Sequence, residues 1–122
     1  MIIPTEDAEQ MALMKWAAIM CGRWPELRML FHIPNGGSRG KAEAGRFRAM
    51  GVKPGVPDLC LPIAKAGKHG LYIELKRSKG GRVSEEQAAW ITELRARGYA
   101  AEVCRGWEEA ARVIEAYLRT EA

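Results

Sequence analysis

The sequence predicts an α/β domain with a central mixed sheet flanked by helices, in the order α-β-α-β-β-α-β-α. Two observations carry that reading. Apolar stripes at helical spacing alternate with short apolar runs at strand spacing, and Gly or Pro punctuates every junction. In addition, the 122 residues contain no internal repeat, low-complexity tract or linker long enough to divide them, so residues 1–122 are expected to form a single domain.

Each element follows from local chemistry. Thr5 is a plausible N-cap, Glu6 and Asp7 suit the positive end of a helix dipole, and Met11, Leu13, Met14, Ala17 and Met20 supply an apolar stripe. The spacing predicts a first helix from about Thr5 to Cys21, stopped by Gly22. After Trp24 and Pro25, the apolar segment Met29 to Ile33 reads as a strand ending at Pro34. Asn35, Gly36, Gly37, Ser38, Arg39 and Gly40 form a loop of turn formers whose backbone amides suit a phosphate. Lys41 to Met50 reads as a basic helix, with Lys41, Arg46 and Arg48 available to a nucleic-acid backbone.

Two strands follow, one opened by Gly55-Val56-Pro57-Asp58 and one closed by Glu74-Leu75-Lys76, with a basic turn from Ala64 to Gly70 between them. A turn this short predicts a hairpin. Side chains two apart on a strand share a face, so Tyr72, Glu74 and Lys76 point one way and Leu71, Ile73 and Leu75 the other. Asp58 and Cys60 likewise oppose Leu59, Leu61 and Ile63. Lys79 to Arg82 reads as a mobile basic linker. Ser84 and Gln87 give a capping-box pattern for a helix to about Arg97, ended by Gly98, and Trp90, Ile91 and Leu94 are expected to face the core. A strand from Tyr99 to Cys104 and a helix from Trp107 to Arg119 complete the order.

Composition excludes several classes. A 48% hydrophobic and 28% charged makeup is ordinary globular usage, and no apolar run approaches the roughly 20 residues that span a bilayer. The first residues lack the basic and apolar segments of a secretion signal, so a cytoplasmic location is expected, the host cytoplasm if the protein is phage-encoded. Cys21, Cys60 and Cys104 fit no zinc spacing and read as reduced thiols. Nothing resembles a nucleotide-binding loop, and no Ser-His-Asp or Cys-His order supports acyl transfer. Net charge is +4, but residues 23–82 hold thirteen Lys or Arg against four acids. A basic middle around a carboxylate pair suits a polyphosphate substrate.

The chemistry converges on Asp58, Glu74 and Lys76. Two carboxylates hold a hard divalent ion, and an adjacent ammonium orients the water that attacks a phosphate. A lone Asp followed by Glu-x-Lys also occurs on solvated sheet faces. Here it stands with Gly55-Val56-Pro57, the upstream Ile33-Pro34-Asn35-Gly36-Gly37 and the downstream Ser84-x-x-Gln87, in which order the chain resembles the VRR-NUC family of the PD-(D/E)xK nuclease superfamily. The resemblance implies a restriction-endonuclease-like sheet and a Mg²⁺- or Mn²⁺-dependent DNA endonuclease of the small stand-alone phage type. It implies that Asp58, Glu74 and the Leu75 carbonyl bind the ion. It also implies that Gln87 sits beside Lys76 and that a first-helix Glu serves the site.

Glu6, Asp7 and Glu9 are the candidates for that carboxylate, and Glu6 is the first choice because it shares a stripe with Gln10, Leu13 and Ala17; Glu9 lies on the adjoining one. Asn35, Gly36, Gly37, Ser38, Arg39, Lys41, Lys79 and Arg82 are the expected DNA contacts. Branched or four-way junction DNA is the expected substrate and a homodimer the expected assembly, with no nucleotide cofactor. A binding module on a decayed nuclease fold and a restriction-type enzyme are the alternatives. His32 and His69 read as structural or solvated, and the four Trp as packing.

Overall fold

The computed structural model describes residues 2–34 and 40–121. The elements are α1 (Glu6–Met20), a 3-10 helix (Pro25–Met29), β1 (Phe31–His32), α2 (Lys41–Ala49), β2 (Leu59–Leu61), β3 (Leu71–Lys76), α3 (Glu85–Ala96), β4 (Ala100–Arg105) and α4 (Trp107–Leu118). The expected order holds. Thr5 caps α1 by accepting from the Ala8 amide, and Ser84 and Gln87 close both halves of the capping box on α3.

The strand expected over Met29 to Ile33 shrinks to two residues. Pro25 presets the first helical φ, and Leu27 and Leu30 both enter the core at the three-residue spacing of a 3-10 turn. Extended pairing begins only at Phe31.

The sheet runs β1-β2-β3-β4. β1, β2 and β3 are antiparallel neighbours, so the hairpin across Ala64 to Gly70 is present, while β4 lies parallel to β3. One face carries Leu59, Leu61, Leu71, Ile73 and Leu75, all at most 1% exposed, and packs with Leu13 and Ala17 of α1 and Ala110 and Ile114 of α4. On the other face, Ile91 and Leu94 of α3 cluster with Ala101, Tyr72, Tyr99 and Val103. Trp90, expected to face the core, is only half-buried at the margin of that cluster, because its indole N–H donates to the Pro54 carbonyl at 3.1 Å. α2 buries none of its residues and exposes Lys41, Arg46 and Arg48.

Two glycines are required by geometry. Gly55 has φ +89°, and a Cβ there would lie 2.6 Å from the Glu86 backbone, so only glycine lets the loop before Asp58 pass the first turn of α3. Gly98, at φ +93°, faces the His69 ring, and a Cβ would meet Nε2 at 2.9 Å. Residues 79–82, expected as a mobile basic linker, are held at two points. Arg105 donates to the Gly80 carbonyl at 2.6 Å and to that of Gly81 at 3.4 Å, tying this segment to the end of β4.

Candidate active site

The register of the hairpin assembles the site. Leu59 pairs with Ile73 and Cys60 with Tyr72, which continues Asp58 opposite Glu74 on one sheet face. Asp58 stands just ahead of β2, and Glu74 to Lys76 close β3, so the acids meet at one end of the sheet between the N-termini of α1 and α3.

Burial separates this Glu-x-Lys pair from a solvated one. Glu74 is 2% exposed and Lys76 5%. The Lys76 Nζ lies 3.7 Å from Glu74 Oε2, and the Gln87 Nε2 donates to that same oxygen at 3.1 Å. Gln87 thus does two things at once: its Oε1 accepts from the Ser84 amide at 2.8 Å while its Nε2 fixes the carboxylate. Gln87 and Lys76 thus meet on the same Glu74 oxygen.

Asp58 is pinned from both ends. Its Oδ2 accepts from the Leu75 amide at 2.7 Å, and its carbonyl accepts from the Ile33 amide at 2.7 Å and faces His32 Nδ1 at 2.9 Å. A carbonyl can only accept, so His32 Nδ1 carries the proton in this contact. The N–H and C=O of a strand residue point to the same edge, so the Leu75 carbonyl also faces Asp58.

The Glu74 carboxyl is pushed up to about 8 by burial first, then by the charge of Asp58 and their mutual hydrogen bond; Lys76 lowers it and Glu6 raises it. Its Oε1 is buried with no hydrogen-bond partner. An acid held this way is costly unless a cation joins it. The donor set is all oxygen, from two carboxylates and a carbonyl, which fits a hard divalent ion that keeps several waters. Among the described residues, no three His, Cys, Asp or Glu side chains converge into a cage for a metal.

Beside the acids lies a cavity of about 80 Å³ lined by Glu6, Asp7 and Gln10 of α1 with His32, Asp58 and Leu75. Arg77 Nη2 donates to the Ile3 carbonyl at 3.0 Å and so fastens the segment ahead of α1 to the exit of β3. Glu9 is elsewhere: 4% exposed, it accepts from the Trp107 amide at 3.0 Å and caps α4, which starts at Gly106 with no side-chain cap of its own. Glu9→Ala is therefore expected to lower stability by about 1 to 2 kcal/mol, a fall of roughly 5 °C in melting temperature. Glu6→Gln should leave melting unchanged and reduce cleavage. Thermal scans paired with rate measurements on both variants check the split.

Of the expected DNA contacts, Lys41, Lys79 and Arg82 are exposed. Asn35, Gly36, Gly37, Ser38 and Arg39 lie outside the described residues. Gln10 and His32 line the cavity beside Asp58 and were not among the expected site residues. Gln10 could have been found from its stripe with Glu6, whereas His32 joins only through the β1-β2 pairing. Cys60 and Cys104 are buried free thiols, both pushed up chiefly by burial, Cys104 to about 12, so neither is a nucleophile at neutral pH.

A mixed sheet with helices on both faces, and at its end a half-buried Asp beside a buried Glu-x-Lys, defines a restriction-endonuclease-like nuclease domain. The VRR-NUC domain profile matches residues 14–108, and the chain belongs to that family. A solved structure described as a VRR_NUC domain protein is 32% identical, with a TM-score of 0.83, and the alignment covers 99% of this chain and 93% of that one. No curated protein matches. Family membership gives a nuclease-type function with DNA as the substrate class. No helix of the described residues is long and apolar enough to cross a membrane.

Proposed function

We propose that this protein is a divalent-metal-dependent DNA endonuclease acting through Asp58, Glu74 and Lys76. The observation that carries this reading is the buried Glu74, with one oxygen shared by Lys76 and Gln87 and the other without a partner, beside the pinned Asp58. Asp58, Glu74 and the Leu75 carbonyl would hold Mg²⁺ or Mn²⁺. When bound, the ion supplies charge neutralisation at the phosphate and a lowered pKa for its water.

The remaining steps belong to the side chains. Lys76 orients the attacking water and stabilises charge developing on phosphorus. Gln87 keeps the Glu74 carboxylate turned toward Asp58. Glu6, at the mouth of the adjoining cavity, contributes an outer contact. In-line attack yields a 5′-phosphate.

The substrate we favour is branched DNA, four-way junctions above linear duplex, cut by a homodimer. A domain this small offers one site, and cutting two arms requires two sites in fixed relation, which twofold pairing supplies. Exposed Lys41, Arg46, Arg48, Lys79 and Arg82 give it a basic surface for backbone phosphates. Cleavage of single-stranded, duplex, flap and four-way DNA in Mg²⁺, Mn²⁺ or EDTA tests the proposal. Metal-dependent cutting with a preference for the junction is the expected result. A monomer by light scattering that cuts linear and branched DNA equally would refute the junction preference, and cutting in EDTA would refute the metal.

A further inference from the structure

We propose that Gln10 is a positioning residue for the hydrated cation: its carboxamide and the Glu6 carboxylate hold one water of the ion's shell in the cavity beside Asp58. The inference rests on the metal reading above and deepens it. Gln10 follows Glu6 by one helical turn, so the two share a face of α1, and both line the cavity with Asp7, His32, Asp58 and Leu75. The Gln10 Nε2 is buried without any hydrogen-bond partner. A buried amide N–H in that condition needs an acceptor, no protein oxygen supplies one, and a water in the cavity that Gln10 lines is the matching guest.

The chemistry of the guest is specific. A water oxygen accepts from Nε2 and keeps a second lone pair for the cation, while its two protons find acceptors in the carboxylates of Glu6 and Asp58. A free phosphate oxygen would meet those same acids unfavourably. The volume of about 80 Å³ exceeds the roughly 30 Å³ share of one water, so the cavity has room for it. Outer contacts of this kind set metal affinity, and their removal typically costs 10- to 100-fold.

The test uses Gln10→Met, which keeps length and removes the donor. Mn²⁺ binding is measured by calorimetry, and melting is followed in EDTA. The expected result is at least tenfold weaker Mn²⁺ binding with an apo melting temperature equal to or above that of the unmutated protein, because the orphaned amide is gone. Binding within twofold of the unmutated protein overturns the inference. If Gln10→Met melts lower, a cycle with Glu6→Gln decides: two residues sharing one water give losses in Mn²⁺ affinity that are less than multiplicative in the double variant, and multiplicative losses overturn it. Absence of Mn²⁺ binding by the unmutated protein removes the metal reading itself, and this inference with it.

Discussion

Asp58→Ala and Glu74→Ala are each expected to lower the cleavage rate by about 10³-fold or more, with DNA binding largely retained. The magnitude follows from the several kcal/mol that a correctly held cation contributes to a phosphoryl transition state, at about 1.4 kcal/mol per factor of ten. Lys76→Ala should cost about 10²- to 10³-fold, comparable to removing one preorganised donor from a developing charge, and should leave Mn²⁺ affinity intact. The reasons differ by residue. Asp58 is fixed through its carbonyl and its Oδ2, so its loss also releases the Leu75 amide. Glu74 loses its contacts to Lys76 and Gln87 together. Single-turnover cleavage beside calorimetric Mn²⁺ titration separates the roles, and wild-type turnover by Lys76→Ala would refute the proposed mechanism.

The second large effect is a dependence of stability on pH that the ion should erase. Glu74 is held at about 8 in the fold, chiefly by burial and by Asp58, against about 4.3 in an unfolded chain. Between those values the folded state binds more protons than the unfolded one, so this group makes the metal-free protein lose stability as pH rises through the window. The apo melting temperature should fall between pH 5 and 8. Glu74→Gln should flatten that slope and melt higher than the unmutated protein at pH 8. Binding of Mn²⁺ at pH 7 should release close to one proton and restore the lost stability at pH 8. Melting curves in EDTA and in Mn²⁺ across this range provide the check. An apo slope left unchanged by Glu74→Gln would show that Glu74 is not the group that titrates in this window.

The capping box at Ser84 shows how far local chemistry reaches. Its hydrogen bonds span three residues, so Ser84 and Gln87 were legible from spacing alone. The Thr5 cap and the Gly98 stop were legible for the same reason. Strand alternation likewise placed Glu74 and Lys76 on one face, because a period of two needs no tertiary information. The hold on the basic segment of 79–82 was not legible, since the residue that makes it, Arg105, lies 24 and 25 positions away. The choice between Glu6 and Glu9 rested on neighbouring stripes of one helix, and periodicity could not see that α4 begins beside Glu9, 98 residues along the chain at Trp107.

By itself, the sequence determined the order of elements, their caps and the hairpin that carries Asp58, Glu74 and Lys76, since these depend on contacts within a turn or between adjacent strands. The tertiary structure decided what surrounds those residues: the burial of Glu74 and Lys76, the attachment of Gln87 to Glu74, the parallel placement of β4 and the cavity joining α1 to Asp58. Burial and dielectric depend on which distant segments pack against a side chain, and they turn an ordinary Glu-x-Lys strand into a buried acid whose Oε2 meets Lys76 and Gln87 while its Oε1 has no partner.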